Sequence, residues 1–174
     1  MKLEEALPIA ERALELIKPH CFRAKIAGSI RRRNADVKDI EIVAIPKPYE
    51  RGLLSELFES DLATVVNQWE KVKGEMVYGK VKYTQRILPE GIKLDLFFAT
   101  PENWGLIYAI RTGSAEYSHK VLARGWVKQG YRSENGYLMK DGKQVNVYEE
   151  EDLYRLIRIP WITPEFRIYN KQFQ

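Results

Sequence analysis

Gly28-Ser29-Ile30-Arg31-Arg32-Arg33 is followed, after a nine-residue gap from Ser29, by Asp39-Ile40-Glu41, and a third carboxylate stands at Asp95 in Lys93-Leu94-Asp95-Leu96-Phe97. Asp39 and Glu41 open a β-branched run, Asp39 to Ile45, which predicts a strand. Strand residues two apart project to one face, so both carboxylates point one way while Ile40 and Ile42 point the other. Two anions held side by side repel, and keeping both ionised is costly without a cation between them. Asp95 lies in a second strand-like run, Ile92 to Ala99; if the two strands are neighbours, the three carboxylates converge. Hard oxygen donors suit Mg²⁺ or Mn²⁺. Two such ions, roughly 3.5–4 Å apart, can clamp an in-line phosphoryl displacement. Gly28 follows a further strand-like segment, Phe22 to Ala27, and without a side chain its backbone can approach a phosphate closely. Ser29 adds a hydroxyl, and an arginine can grip phosphate oxygens bidentately. Singly, an Asp-x-Glu pair reads as a solvated sheet face, Gly-Ser as a turn and an arginine run as a solvated loop. Their conjunction in this order points to transfer of a nucleotide onto a hydroxyl.

The surrounding pattern supplies elements to position these groups. Leu3, Leu7, Ala10, Leu14 and Ile17 recur at helical steps, with Pro8 near the first turns, where proline is better tolerated. Leu53, Leu54, Leu57, Phe58, Leu62, Val65, Val66 and Trp69 predict one or two further helices. Gly79 to Leu88 and Ile92 to Ala99, separated by Pro89-Glu90-Gly91, read as a hairpin. Thr100-Pro101-Glu102-Asn103 is the expected joint between an N-terminal and a C-terminal part. Beyond it, Ala115 to Gln129 predicts a helix, Tyr137 to Val147 a hairpin around Asp141-Gly142, and Glu149 to Arg158 a closing helix. The architecture is α+β, with no internal repeat or low-complexity segment.

Composition narrows the classes without choosing among them. The 174 residues carry 28 Lys plus Arg against 24 Asp plus Glu, a formal charge of +4. The excess is spread evenly, with 17 basic and 15 acidic residues in 1–100 and 11 and 9 in 101–174. That permits local nucleic-acid contacts without a basic tail. A single cysteine, Cys21, excludes an intramolecular disulfide and argues against a thiolate metal site, and two histidines, His20 and His119, are too few for zinc chemistry. An apolar run of about 18 residues and a signal-peptide pattern are both lacking, so the expectation is a cytoplasmic protein with no membrane partner.

In sequence order, these residues resemble the polymerase beta-like nucleotidyltransferase superfamily, and the C-terminal half resembles its DNA polymerase X family. Arg111-Thr112-Gly113-Ser114 matches that family's Thr-Gly-Ser turn. Glu134-Asn135-Gly136-Tyr137-Leu138 is similar to its Asn-Glu-Tyr-Gly-Leu segment. Glu149 to Tyr154, running into Pro164-Glu165-Phe166-Arg167, looks like the acidic helix and C-terminal ending of its thumb. The resemblance covers residues 3 to 168 and implies a nucleotidyltransferase palm with a mixed or antiparallel sheet over 1–100, then a small α+β thumb over 101–174. The chain would be a minimal, monomeric palm-plus-thumb form, starting at the palm, without an implied lyase activity. The implied activity is template-directed addition of dNMP from dNTP to a primer 3′-hydroxyl on gapped or primer-template DNA, with two Mg²⁺ or Mn²⁺ ions, as in short-gap repair. A template-independent nucleotidyltransferase is the alternative.

By that resemblance Asp39, Glu41 and Asp95 would hold the metals and catalyse. Gly28, Ser29 and Arg32 would contact the triphosphate, Thr112 and Gly113 would lie beside the sugar, and Tyr117 would flank the nascent base pair. Arg31 and Arg33 are read as solvated or facing nucleic acid. Lys120, Arg124 and Lys128, with Arg132, Lys140 and Lys143, would meet DNA phosphates. Three departures stand out: Glu41 where Asp is usual, Ile110-Arg111 where an aromatic pair is usual, and a helix one residue longer before Gly130.

Overall fold

The computed structural model describes residues 1–47, 62–74 and 82–169. They fall into two compact units, one of 1–26 with the described residues of 35–99 and one of 27–34 with 100–169. The predicted helix around Leu53 to Phe58 and the predicted strand residues 79–81 lie outside the described residues.

In the first unit, helix α1 (Leu3–Ile17) buries Ala6, Ile9, Ala10, Ala13 and Ile17, close to the predicted stripe. It continues through Pro8; the N–H that proline lacks would have bonded back only to the first turn. The sheet is built from β1 (Cys21–Ile26), β2 (Asp39–Pro46), β3 (Glu70–Lys73), β4 (Tyr83–Ile87) and β5 (Lys93–Phe98). Among the described residues its order is β1-β2-β5-β4-β3. The β2–β5 pair is parallel and the other pairs are antiparallel. Ile40, Ile42, Leu94 and Leu96 are fully buried on one face, and α1 packs on β1, β2 and α3 (Leu62–Val66). The predicted hairpin across Pro89-Glu90-Gly91 is the β4–β5 turn, with Gly91 at φ +79°.

Strand β3, Glu-Lys-Val-Lys, was not expected. It is exposed along its length, so no burial alternation marks it in the sequence. Its anchor is a buried arginine: Arg86 on β4 is 1% exposed, and its guanidinium donates to the carbonyls of Val66, at 3.3 Å, and Gly74, at 3.0 Å. Carbonyl acceptors let the charge stay inside without exposing the strand pair. Cys21 is buried, and its thiol is pushed up to about 12, first by burial.

The second unit begins with α2 (Gly28–Arg31), a single helical turn, and continues through α4 (Trp104–Thr112), α5 (Ala115–Tyr117), α6 (Arg124–Lys128) and α7 (Glu150–Leu156). Strands β6 (Arg132–Glu134), β7 (Tyr137–Lys140) and β8 (Lys143–Val145) form a second, antiparallel sheet. Both of its turns use left-handed pairs, Asn135-Gly136 (φ 52° and 88°) and Asp141-Gly142 (φ 50° and 74°). These are the residue types that such hairpins select. The Glu134 to Leu138 segment is thus a hairpin in its own right. The single helix predicted over 115–129 is instead α5 and α6 joined by a π-helical stretch, Ser118–Ala123. A π segment absorbs an extra residue without breaking the helix axis, which accounts for the longer helix before Gly130.

Helix α4 was not anticipated as an element, and one of its contacts is unusually demanding. A side chain at Gly105 would overlap the backbone carbonyl of Glu149, and Gly105 N donates to Val147 O at 2.9 Å. Gly105→Ala should therefore destabilise the protein by about 2–4 kcal/mol, an overpacking cost against rigid backbone; urea unfolding with unchanged stability would contradict the close approach.

Candidate active site

The parallel register of β2 and β5 sets Glu41 directly beside Asp95, with Asp39 two residues earlier on the same face, opposite Lys93. Neighbouring strands lie roughly 4.8 Å apart, so the two carboxylate stems are adjacent. Asp95 is 8% exposed, whereas Asp39 and Glu41 are half-buried. Two side chains from β4 reach Asp95: Tyr83 Oη donates to Oδ1 at 2.6 Å and Gln85 Nε2 donates to the same oxygen at 2.7 Å. Tyr83 is held in turn by stacking on Phe97, with ring centroids 5.0 Å apart. These partners orient a carboxylate that would otherwise rotate. The sequence reading missed both, yet the hairpin register places Gln85 opposite Asp95 and Tyr83 opposite Phe97, so alternation counted back from Pro89-Glu90-Gly91 could have found them. Among the described residues, no three acidic, imidazole or thiol groups are gathered tightly enough to cage a metal as they stand. The donor chemistry is nonetheless all hard oxygen.

The second unit brings the other two motifs together. Gly28 opens α2 at φ +60°, a conformation that favours glycine. Ser29 Oγ is buried without a hydrogen-bond partner among the described residues. Thr112, at the end of α4, is gripped twice: Arg31 Nη1 donates to its Oγ1 at 2.6 Å and Arg32 Nη1 donates to its carbonyl at 2.7 Å. Gly113 follows in extended conformation, where a side chain would press on Ser118 Oγ and the Tyr117 ring at 2.8 Å. The residues predicted from Gly-Ser and from Thr-Gly-Ser are therefore hydrogen-bonded neighbours.

Arg31 corrects the sequence reading. It is no solvated residue: its guanidinium donates to both oxygens of Glu150, at 2.8 and 2.7 Å, and lies 3.9 Å from the Tyr108 ring centroid. Glu150 is buried and also receives Arg167, which is fully buried and bonds through Nη1 to Oε1. Burial acts to raise the Glu150 carboxyl, but the hydrogen bonds from Arg31 and Arg167 outweigh it and hold the group below its ordinary range. Burial likewise acts to lower Arg31, and the Glu150 bond outweighs that and raises it. Arg33, by contrast, is exposed and pairs loosely with Glu165 at 3.4 Å.

Tyr117 has no exposed surface. Its hydroxyl meets that of Tyr154 at 3.0 Å, and its ring belongs to the core formed with Leu106, Leu122 and Trp126. Contact with a nucleotide would require it to leave that pocket. Lys120 pairs with Glu116 at 3.0 Å and lies 4.4 Å from the Tyr169 ring centroid. Arg124 and Lys128 are exposed one turn apart on α6.

With a mixed five-stranded sheet among its described residues and helices beside it, the chain has a polymerase beta-like fold. Among solved structures it is similar to Leishmania infantum polymerase beta, crystallised as a ternary P/T complex, with a TM-score of 0.67 and 16% identity over 96% of this chain and 76% of that one. No protein-family model and no curated protein matches the sequence. No helix among the described residues is long and apolar enough to cross a membrane.

Glu150→Ala should cost about 3–5 kcal/mol, because it strands the fully buried Arg167 guanidinium and the partly buried Arg31 guanidinium. The ionised Glu150 stabilises the fold fully above the unfolded-state carboxylate value of about 4.3, and that contribution is lost as pH falls through the lower folded-state value. The acid limb of wild-type stability should thus flatten in the variant; an identical limb would contradict the assignment.

Proposed function

We propose that this chain is a template-directed DNA polymerase of the polymerase X type, adding dNMP from dNTP to a primer 3′-hydroxyl, with short gaps in DNA as its substrate. The observation that carries this reading is the register that sets Glu41 beside Asp95 with Asp39 on the same face. A structural protein has little reason to align three carboxylates in the middle of a sheet. Asp39, Glu41 and Asp95 would hold two Mg²⁺ or Mn²⁺ ions, for which their hard carboxylate oxygens are suited. When bound, such ions supply Lewis acidity at the attacking and leaving oxygens. The longer Glu41 side chain favours tolerance of Mn²⁺.

The remaining roles belong to this chain's own groups. Asp95, oriented by Tyr83 and Gln85, receives the proton of the primer 3′-hydroxyl. A phosphate oxygen is the acceptor that would satisfy Ser29 Oγ, whose burial unpaired costs about 1–3 kcal/mol. Gly28 admits the triphosphate to the backbone, and Arg32, steadied on the Thr112 carbonyl, adds a guanidinium. Thr112 and Gly113 flank the sugar, while Tyr117 supports that turn from the core. Lys120, Arg124 and Lys128 meet nucleic-acid phosphates. The protein works in the cytoplasm as a monomer.

The test is extension of a labelled primer on a one-nucleotide-gapped duplex, each dNTP offered singly with Mg²⁺ or Mn²⁺. Only the complementary nucleotide should be added, and Asp95→Ala should lose turnover by at least about a thousandfold, roughly 4 kcal/mol, while still binding the duplex. Turnover retained by Asp95→Ala would sink the catalytic assignment; untemplated addition would replace polymerase by terminal transferase.

A further inference from the structure

The second unit holds an open cavity of about 420 Å³, lined among others by Tyr131, Asn146, Tyr148, Asp152, Arg155 and Arg158, that none of the chemistry above uses. We propose that it binds one nucleotide unit of single-stranded nucleic acid. The first observation is backbone geometry. Arg158 sits at φ +59°, where α7 unwinds through Arg158 N to Arg155 O and Ile159 N to Tyr154 O, both 3.1 Å. This is the helix-ending position that glycine fills with least strain. Among the described residues, Asn135 and Asp141 are left-handed as hairpin turns require, so Arg33 and Arg158 are the two arginines at such positions, and Arg158 is the one that lines the cavity. An arginine kept at a position that disfavours any side chain points to use of that side chain.

The cavity's chemistry names the ligand. Asp152 is already neutralised: Oδ1 takes Arg155, and Oδ2 accepts the Glu149 amide at 2.8 Å. Arg158 is thus left to set the sign, and the cavity selects an anion. A bare phosphate, however, needs no aromatic walls. Tyr148 is 52% exposed, with its hydroxyl fixed by Asn146 Nδ2 at 2.8 Å, and the Tyr131 ring carries Lys140 Nζ 4.7 Å from its centroid. Tyr131 is packed against the core, so the exposed Tyr148 ring is the stacking surface, and an aromatic ring near guanidinium groups is what single strands stack on and track along. The volume falls in the range of small-ligand sites, enough for one nucleotide.

This site is independent of the carboxylates, so the test uses the full chain without dNTP or divalent ions. Fluorescence anisotropy of labelled oligo(dT) should show affinity weakened about fivefold or more by Tyr148→Ala and by Arg158→Gly, and retained by Tyr148→Phe. Arg158→Gly should at the same time keep or raise the melting temperature, since glycine relieves the left-handed strain. Weaker binding by a protein of equal or greater stability is a combination that a purely structural role cannot give. Affinity unchanged in both variants would overturn the proposal. Displacement by dTMP as effective as by unlabelled oligo(dT) would overturn the strand assignment in favour of a free nucleotide.

Discussion

The parallel pairing of β2 with β5 is the constraint on which the first unit depends. It buries Ile40, Ile42, Leu94 and Leu96 on one face, and the same register forces Glu41 against Asp95 on the other. Hydrophobic burial and carboxylate alignment are two consequences of one hydrogen-bond ladder. A slip of one residue would exchange the faces, driving the acids into the apolar core and the isoleucines onto the carboxylate face, so the register is protected by the whole apolar core. β4 then completes the arrangement, because its antiparallel register delivers Gln85 and Tyr83 to Asp95.

In the second unit the comparable role falls to Glu150. One carboxylate receives two guanidinium groups from opposite ends of the sequence, Arg31 and Arg167. Through Arg31 it also fixes Thr112, so the turn at Gly28 and the turn at Gly113 are held by one buried charge cluster. The C-terminal segment joins them as well, since the Ser114 amide donates to the Arg167 carbonyl at 2.9 Å. Such a cluster is poor at adding net stability, because desolvation offsets the attraction. What it supplies is definition: removing any one member strands the others.

Much of this was legible because local chemistry and periodicity agreed. The α1 stripe, the Asp39 to Ile45 strand, the Pro89-Glu90-Gly91 turn and the Asp141-Gly142 turn each carry a signal contained within a few residues. What stayed hidden depends on distant partners. Arg31 looks like a surface residue until Glu150, far along the chain, is packed against it, and Arg86 looks equally ordinary until carbonyls from β3 and α3 surround it. Tyr117 stands just after Thr-Gly-Ser in the sequence, but only packing shows that it faces Tyr154 and the core. β3 and β6 are short and exposed, so they have no apolar face to announce them. The π-helical stretch is visible in sequence only as one residue too many.

The proposed function requires that the aligned carboxylates of β2 and β5 hold divalent metal. Titration of the wild-type protein with Mn²⁺, followed by the loss of the free-ion electron paramagnetic resonance signal, tests it directly, beside a variant carrying Glu41→Gln and Asp95→Asn. The wild type should take up Mn²⁺ in competition with Mg²⁺, and the folded variant should lose most of that uptake. Equal uptake by both proteins, or none by either, would contradict it.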